Sequence, residues 1–142
     1  MQAPEPVVMR SCPVVSVEAV VPAGFPSPAA DYVEGRIELA EVLVPHPSAT
    51  FTLRVSGHSM VRAGIHDGDL AIVDRSLTAR HDDVVVAVLD GELTCKRLLK
   101  RGARVWLVPD SDDTAYRPVE VTDRLDFEIW GVITSTIRLH RR

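Results

Sequence analysis

A chain of 142 residues, 46% of them hydrophobic, is long enough for one domain with a single core. Its formal net charge of −4 and a pI near 5.7 exclude direct binding of nucleic acid through a basic field of its own. Cys12 and Cys95, the two cysteines, exclude a disulfide framework, and no apolar run reaches the roughly 18 residues of a membrane span. The N-terminus also lacks a basic region followed by an uninterrupted apolar stretch. A cytoplasmic protein without membrane contact is expected.

Residues 1–28 hold six of the ten prolines. Each removes a backbone donor and restricts the residue before it, which predicts an extended N-terminal arm with at most an edge strand around 14–21. The arm carries Ala23-Gly24 in a Pro-flanked stretch, a small-residue site open to proteolysis. In 31–44 the apolar positions Val33, Ile37, Ala40 and Val44 recur at spacings of 4, 3 and 4, which predicts one or two helical turns ended by Pro45 and Pro47.

From Thr50 onward the pattern becomes short β-type runs at 51–55, 70–73, 84–89, 93–99, 105–108 and 127–139. These predict a mainly β domain over 29–142 with short helices. Asp90-Gly91 reads as a type I′ hairpin turn, which needs positive φ at both residues. A two-residue loop there pairs Leu89 with Glu92 and Val85 with Lys96. Thr94, Lys96 and Leu98 then share a face with Val85 and Ala87. Such an apolar setting disfavours an ammonium ion and lowers the pKa of a lysine.

Ser59, in Ser56-Gly57-His58-Ser59-Met60, precedes Lys96 by 37 positions, and the two read as a serine–lysine dyad in which the lysine is the base that a weakly nucleophilic hydroxyl requires. Gly57 permits a tight turn after the strand, and residues 60–63 read as a brief helix ended by Gly64. Ser59 would then stand at a helix N-terminus, with the amides of His58 and Ser59 forming an oxyanion hole. Taken singly, Ser59 reads as a helix cap and Lys96 as a solvated strand residue; the combination favours the dyad. The five histidines have no ligand spacing with one another or with cysteine, so no metal site is expected. Asp67-Gly68-Asp69 reads as a turn rather than a set of metal carboxylates.

Ser56-Gly57-His58-Ser59-Met60, Gly64-Ile65-His66-Asp67-Gly68-Asp69-Leu70-Ala71-Ile72-Val73-Asp74 and Asp90-Gly91-Glu92-Leu93-Thr94-Cys95-Lys96-Arg97-Leu98 together resemble the LexA/UmuD family of self-cleaving serine–lysine proteins. Gly24-Phe25-Pro26-Ser27-Pro28-Ala29-Ala30-Asp31-Tyr32-Val33-Glu34 and His46-Pro47-Ser48-Ala49-Thr50 resemble its UmuD-type members. The likeness runs from about Gly24 to the C-terminus.

The resemblance implies a β fold shared with signal peptidases, a homodimer, no cofactor, and autocleavage stimulated by the RecA–single-stranded DNA filament after DNA damage. Ser59 becomes the nucleophile, Lys96 the general base and Ala23-Gly24 the scissile dipeptide. The shortened dimer is expected to join a UmuC-type Y-family polymerase in error-prone translesion synthesis. Ala-Gly is the LexA-type pair where UmuD-type proteins typically have Cys-Gly, and a small residue still suits a shallow pocket. A LexA-type repressor would need a helix-turn-helix ahead of the cleavage site, for which about 23 proline-rich residues are too few. A processing peptidase at the membrane would need an anchor. A polymerase accessory with a vestigial dyad is the remaining alternative.

Overall fold

The computed structural model describes residues 5–6, 13–18, 24 and 33–141, and these fall into two compact units, 1–7 with 46–142 and 8–45. The smaller unit contains β2 (Pro13–Glu18) paired antiparallel with β3 (Val33–Glu38), followed by the helix α1 (Leu39–Leu43). The expected helical turns over 31–44 are therefore corrected in their first half. Six residues of β3 pair with β2, from Pro13↔Glu38 to Glu18↔Val33, and this ladder overrides the local helical spacing. Most of the expected arm, including Ala23 and Cys12, lies outside the described residues; Gly24 is exposed in a bend.

The larger unit is an eight-stranded sheet. Its strands are β1 (Glu5–Pro6), β4 (Thr50–Arg54), β5 (Leu70–Asp74), β6 (Val84–Leu89), β7 (Glu92–Arg101), β8 (Arg104–Val108), β9 (Val119–Glu120) and β10 (Phe127–Ile137). Their order is β1-β4-β5-β10-β6-β7-β8-β9, antiparallel throughout, so the last long strand is inserted between β5 and β6. The mainly β fold expected from the sequence is borne out. Two short strands were not anticipated: β9, and β1 at the sheet edge, the place where a proline such as Pro6 is tolerated. No helix among the described residues is long and apolar enough to cross a membrane.

The sheet buries apolar side chains on both faces. Val85 and Ala87 pack with Leu98, Leu107 and Val132 in one cluster, while Val86 joins Leu53, Ala71 and Val73 in another. This parity follows from the two-residue repeat of β6. On β10 the pairing with β6 shifts register between Ile129 and Gly131. The shift puts Ile129 and Val132 against one cluster and Trp130 and Ile133 against the other, which an unbroken strand could not do.

Gly131 is needed at this irregularity. A Cβ there would lie 2.5 Å from Cγ1 of Val73, a residue with no exposed surface, and 3.4 Å from the Asp74 carbonyl oxygen. Gly131→Ala is expected to destabilise the fold by about 2 kcal/mol through overpacking. Urea unfolding of the variant checks this, and an unchanged midpoint would contradict it.

Candidate active site

The hairpin that carries Lys96 is built as its turn chemistry requires. Asp90 and Gly91 have φ of 49° and 84°, and the register pairs Leu89 with Glu92 and Val85 with Lys96, as expected. Val85, Ala87 and Leu98, which the register places on the same sheet face as Lys96, are fully buried. Burial lowers the Lys96 pKa from the ordinary lysine value, opposed by the neighbouring Cys95 thiol. The same burial pushes the Cys95 thiol up to about 11, so it remains protonated and chemically quiet near neutral pH.

Ser59 comes from the other side, on the loop that follows β4. Gly57 has φ 91° and donates its N–H to the Asp67 carboxylate at 2.8 Å, which ties this loop to the turn before β5. Val55 N–H donates to the Asp69 carbonyl and Gly68 N–H to the Val55 carbonyl, both at 2.8 Å. Asp67-Gly68-Asp69 is thus a turn, as its composition indicates, and it also supports the Ser59 loop. The brief helix is a single 3-10 turn, Val61–Ala63, ended by Gly64 in the left-handed region at φ 81°. Its N-cap is Met60, so Ser59 stands one residue before the cap instead of at the helix N-terminus, and so short a turn has little dipole.

The two elements bring Ser59 and Lys96 together. Lys96 Nζ donates to Ser59 Oγ at 3.0 Å, to Thr94 Oγ1 at 3.1 Å and to the Cys95 carbonyl at 3.0 Å. Three acceptors match the three donors of an ammonium group. In the neutral amine, two N–H bonds can stay on Thr94 and Cys95 while the lone pair accepts the Ser59 proton. Thr94 and the Cys95 carbonyl hold the lysine and were not singled out from sequence, although their place on the Lys96 strand was available. The Ser59 and His58 amides have no hydrogen-bond partner among the described residues, and the His58 side chain is exposed.

A cleft of about 410 Å³ opens beside the pair, lined by Leu53, Val55, Met60, Ala71, Val86 and Ile133 together with Ser59, Thr94 and Cys95. Its apolar walls and few convergent polar groups suit an extended peptide with small side chains. No group of three or more His, Cys, Asp or Glu residues that could hold a metal ion occurs among the described residues. Away from this cleft, His46 bonds through Nδ1 to the buried Asp74 carboxylate at 2.6 Å, and His81 Nδ1 accepts the Lys100 N–H at 2.9 Å.

Comparison with known proteins agrees with this geometry. A family model described as Peptidase S24-like matches residues 13–134. The chain is 48% identical to Protein MucA of Escherichia coli over 120 residues, covering 84% of this chain and 81% of that protein. It is 45% identical to Protein ImpA of Shigella flexneri over 119 residues, 84% and 79% of the two chains. A LexA repressor from Syntrophotalea carbinolica is 41% identical over 110 residues, 74% of this chain and 54% of the repressor. The LexA/UmuD resemblance is borne out, and with it the expected class, a UmuD-like SOS mutagenesis protein from a family of self-cleaving peptidases. Ser59, Lys96 and the cleft lie inside the matched segment, and the chain belongs to the Peptidase S24-like family.

Proposed function

We propose that the protein cuts its own Ala23–Gly24 bond with Ser59 as nucleophile and Lys96 as general base. The observation that carries this reading is the 3.0 Å contact between Lys96 Nζ and Ser59 Oγ on a lysine whose charged form burial disfavours. Neutral Lys96 takes the hydroxyl proton as Oγ attacks the Ala23 carbonyl carbon. The oxyanion is received by the amides of Ser59 and His58. The intermediate collapses as Lys96 returns the proton to the Gly24 nitrogen, which leaves as an amine. Water, deprotonated by the same lysine, then hydrolyses the Ala23–Ser59 ester and regenerates the hydroxyl.

In this reading residues 1–28 are the cleavable arm and residues 29–142 the peptidase-like domain. Cleavage in the cytoplasm is stimulated by the RecA–single-stranded DNA filament, which favours an arm conformation that reaches the dyad. The shortened homodimer then serves a UmuC-type translesion polymerase. The support for these partners is the family resemblance and the likeness to MucA and ImpA.

The sign of the pH dependence follows from the base. Only neutral Lys96 accepts a proton, so self-cleavage rises with pH, by about tenfold per pH unit while the ammonium form predominates. Because the Lys96 pKa is lowered, the rate levels off below the ordinary lysine value of 10.5. The purified protein is incubated across this range and its intact mass followed for the fragment that begins at Gly24. A pH-independent rate, or a rise that starts only above the ordinary lysine value, would contradict the proposed base.

A further inference from the structure

β7 reaches the Ser59 turn by two routes. The first is direct, Lys96 Nζ to Ser59 Oγ at 3.0 Å. The second passes through the next residue, Arg97, whose Nη2 donates to the Asp110 carboxylate at 3.2 Å while its Nη1 donates to the Asp82 carbonyl at 2.8 Å. Asp110, two residues beyond β8, in turn grips the Ser59 turn by its own peptide groups. Its N–H donates to the Ser59 carbonyl at 2.8 Å, and its carbonyl accepts the Arg62 N–H at 2.9 Å. One residue therefore holds both ends of the turn from Ser59 to Arg62 and is itself held by the neighbour of Lys96.

The geometry points to Asp110 as a positioning residue for self-cleavage, which with Arg97 sets the distance and angle between Ser59 Oγ and Lys96 Nζ; the inference rests on the Ser59–Lys96 reading above. Neither residue touches the reacting atoms. The Arg97 and Asp110 side chains are 28% and 32% exposed, so solvent weakens their attraction and the pair adds little to overall stability. Its effect lies in geometry. A nucleophile held at 3.0 Å from its base has little tolerance, and a displacement of about 1 Å can cost a reaction about a hundredfold in rate. Without the Arg97 contact the Asp110 loop is tied to β7 only through the Arg97↔Val108 pairing two residues earlier, and the Ser59 turn that it holds gains room to shift.

The test is a double-mutant cycle on the full chain with Arg97→Ala, Asp110→Ala and the double variant, and with Asp110→Glu as the conservative change. The plateau rate of Gly24-fragment formation at high pH, the pH of half-maximal rate and the thermal unfolding midpoint are read for each. Each alanine variant is expected to lower the plateau rate about tenfold, the double variant no further, and Asp110→Glu to recover part of the loss. The pH of half-maximal rate and the unfolding midpoint stay near those of the wild type. Wild-type plateau rates in both single variants, losses that multiply in the double variant, or a rate loss that only tracks unfolding would overturn the positioning role and leave the dyad intact. A wild-type chain that forms no Ser59-dependent fragment would overturn the dyad and the positioning role together.

Discussion

Ser59→Ala and Lys96→Ala are each expected to lower self-cleavage by at least about a thousandfold, to the point where no Gly24 fragment accumulates, while the unfolding midpoint stays at or above that of the wild type. The two losses have different causes. Ser59→Ala removes the atom that forms the acyl bond, and among the described residues the other hydroxyl bonded to Lys96 is that of Thr94, which sits on the base strand itself. Lys96→Ala leaves the nucleophile but no group to take its proton. Its cleft neighbours Thr94, Cys95 and Val86 supply no base, because the Cys95 thiol is pushed up to about 11. The fold tolerates either loss. Removing a partly buried amine also removes its desolvation cost, so Lys96→Ala does not destabilise through burial.

The pH profile separates these variants from general damage. In Lys96→Ala the residual rate, if measurable, loses the rise between neutral pH and the lysine range, since the titrating base is gone. Intact-mass time courses at neutral and high pH on the wild type and both variants decide the matter. Normal processing in either variant would remove the dyad from the mechanism.

The site was legible in the sequence where local chemistry dictates geometry. Asp90-Gly91 forces the hairpin, the hairpin fixes the Val85–Lys96 register, and that register places the lysine on the same face as Val85, Ala87 and Leu98. Gly64, as the left-handed end of the turn after Ser59, was legible for the same reason. The connections that lock these pieces together were not. Asp110 lies in an irregular segment with no hydrophobic period, and its bond to the Ser59 carbonyl depends on where β8 ends. The apolar spacing of β3 fits helix and strand alike, and its partner strand lies beyond a long connection, so local pattern does not separate the two. The bulge at Gly131, which reverses the parity of β10, has no signature beyond the glycine itself.

One ion pair of the larger unit, on a buried carboxylate, joins residues 69 positions apart. Arg138 Nε and Nη2 donate to the two Asp69 carboxylate oxygens at 2.8 Å each, a bidentate pair, and Asp69 also accepts the His66 N–H at 2.8 Å. Asp69 is 1% exposed and Arg138 41%. The Arg138 hydrogen bonds, against the opposing effect of burial, hold the Asp69 carboxyl down at about 2 instead of 3.8. Removing the guanidinium with Arg138→Ala leaves the buried Asp69 carboxylate with only the His66 amide and is expected to destabilise the fold, by less than the loss of a fully buried partner costs because solvent reaches the guanidinium. Asp69→Asn is expected to cost less, since the part-exposed guanidinium it releases is taken up by water.

The pH dependence has a definite sign. A carboxylate whose folded pKa lies below its unfolded value stabilises the fold fully above about pH 4 and loses that contribution as pH falls through about 2. In Arg138→Ala the unpaired carboxyl protonates at higher pH than in the wild type, so the gap between the two proteins narrows on acidification. Urea unfolding of wild type, Arg138→Ala and Asp69→Asn at neutral pH and at about pH 3 tests both statements. An Arg138→Ala deficit that is the same at both pH values, or an Asp69→Asn deficit larger than that of Arg138→Ala, would mean that the pair does not hold the Ser59-supporting turn through its charge. The consequence for function is direct. Asp69 accepts the Val55 N–H through its backbone carbonyl, so the ion pair anchors the base of the loop that presents Ser59. Its loss is expected to loosen the nucleophile as well as the fold.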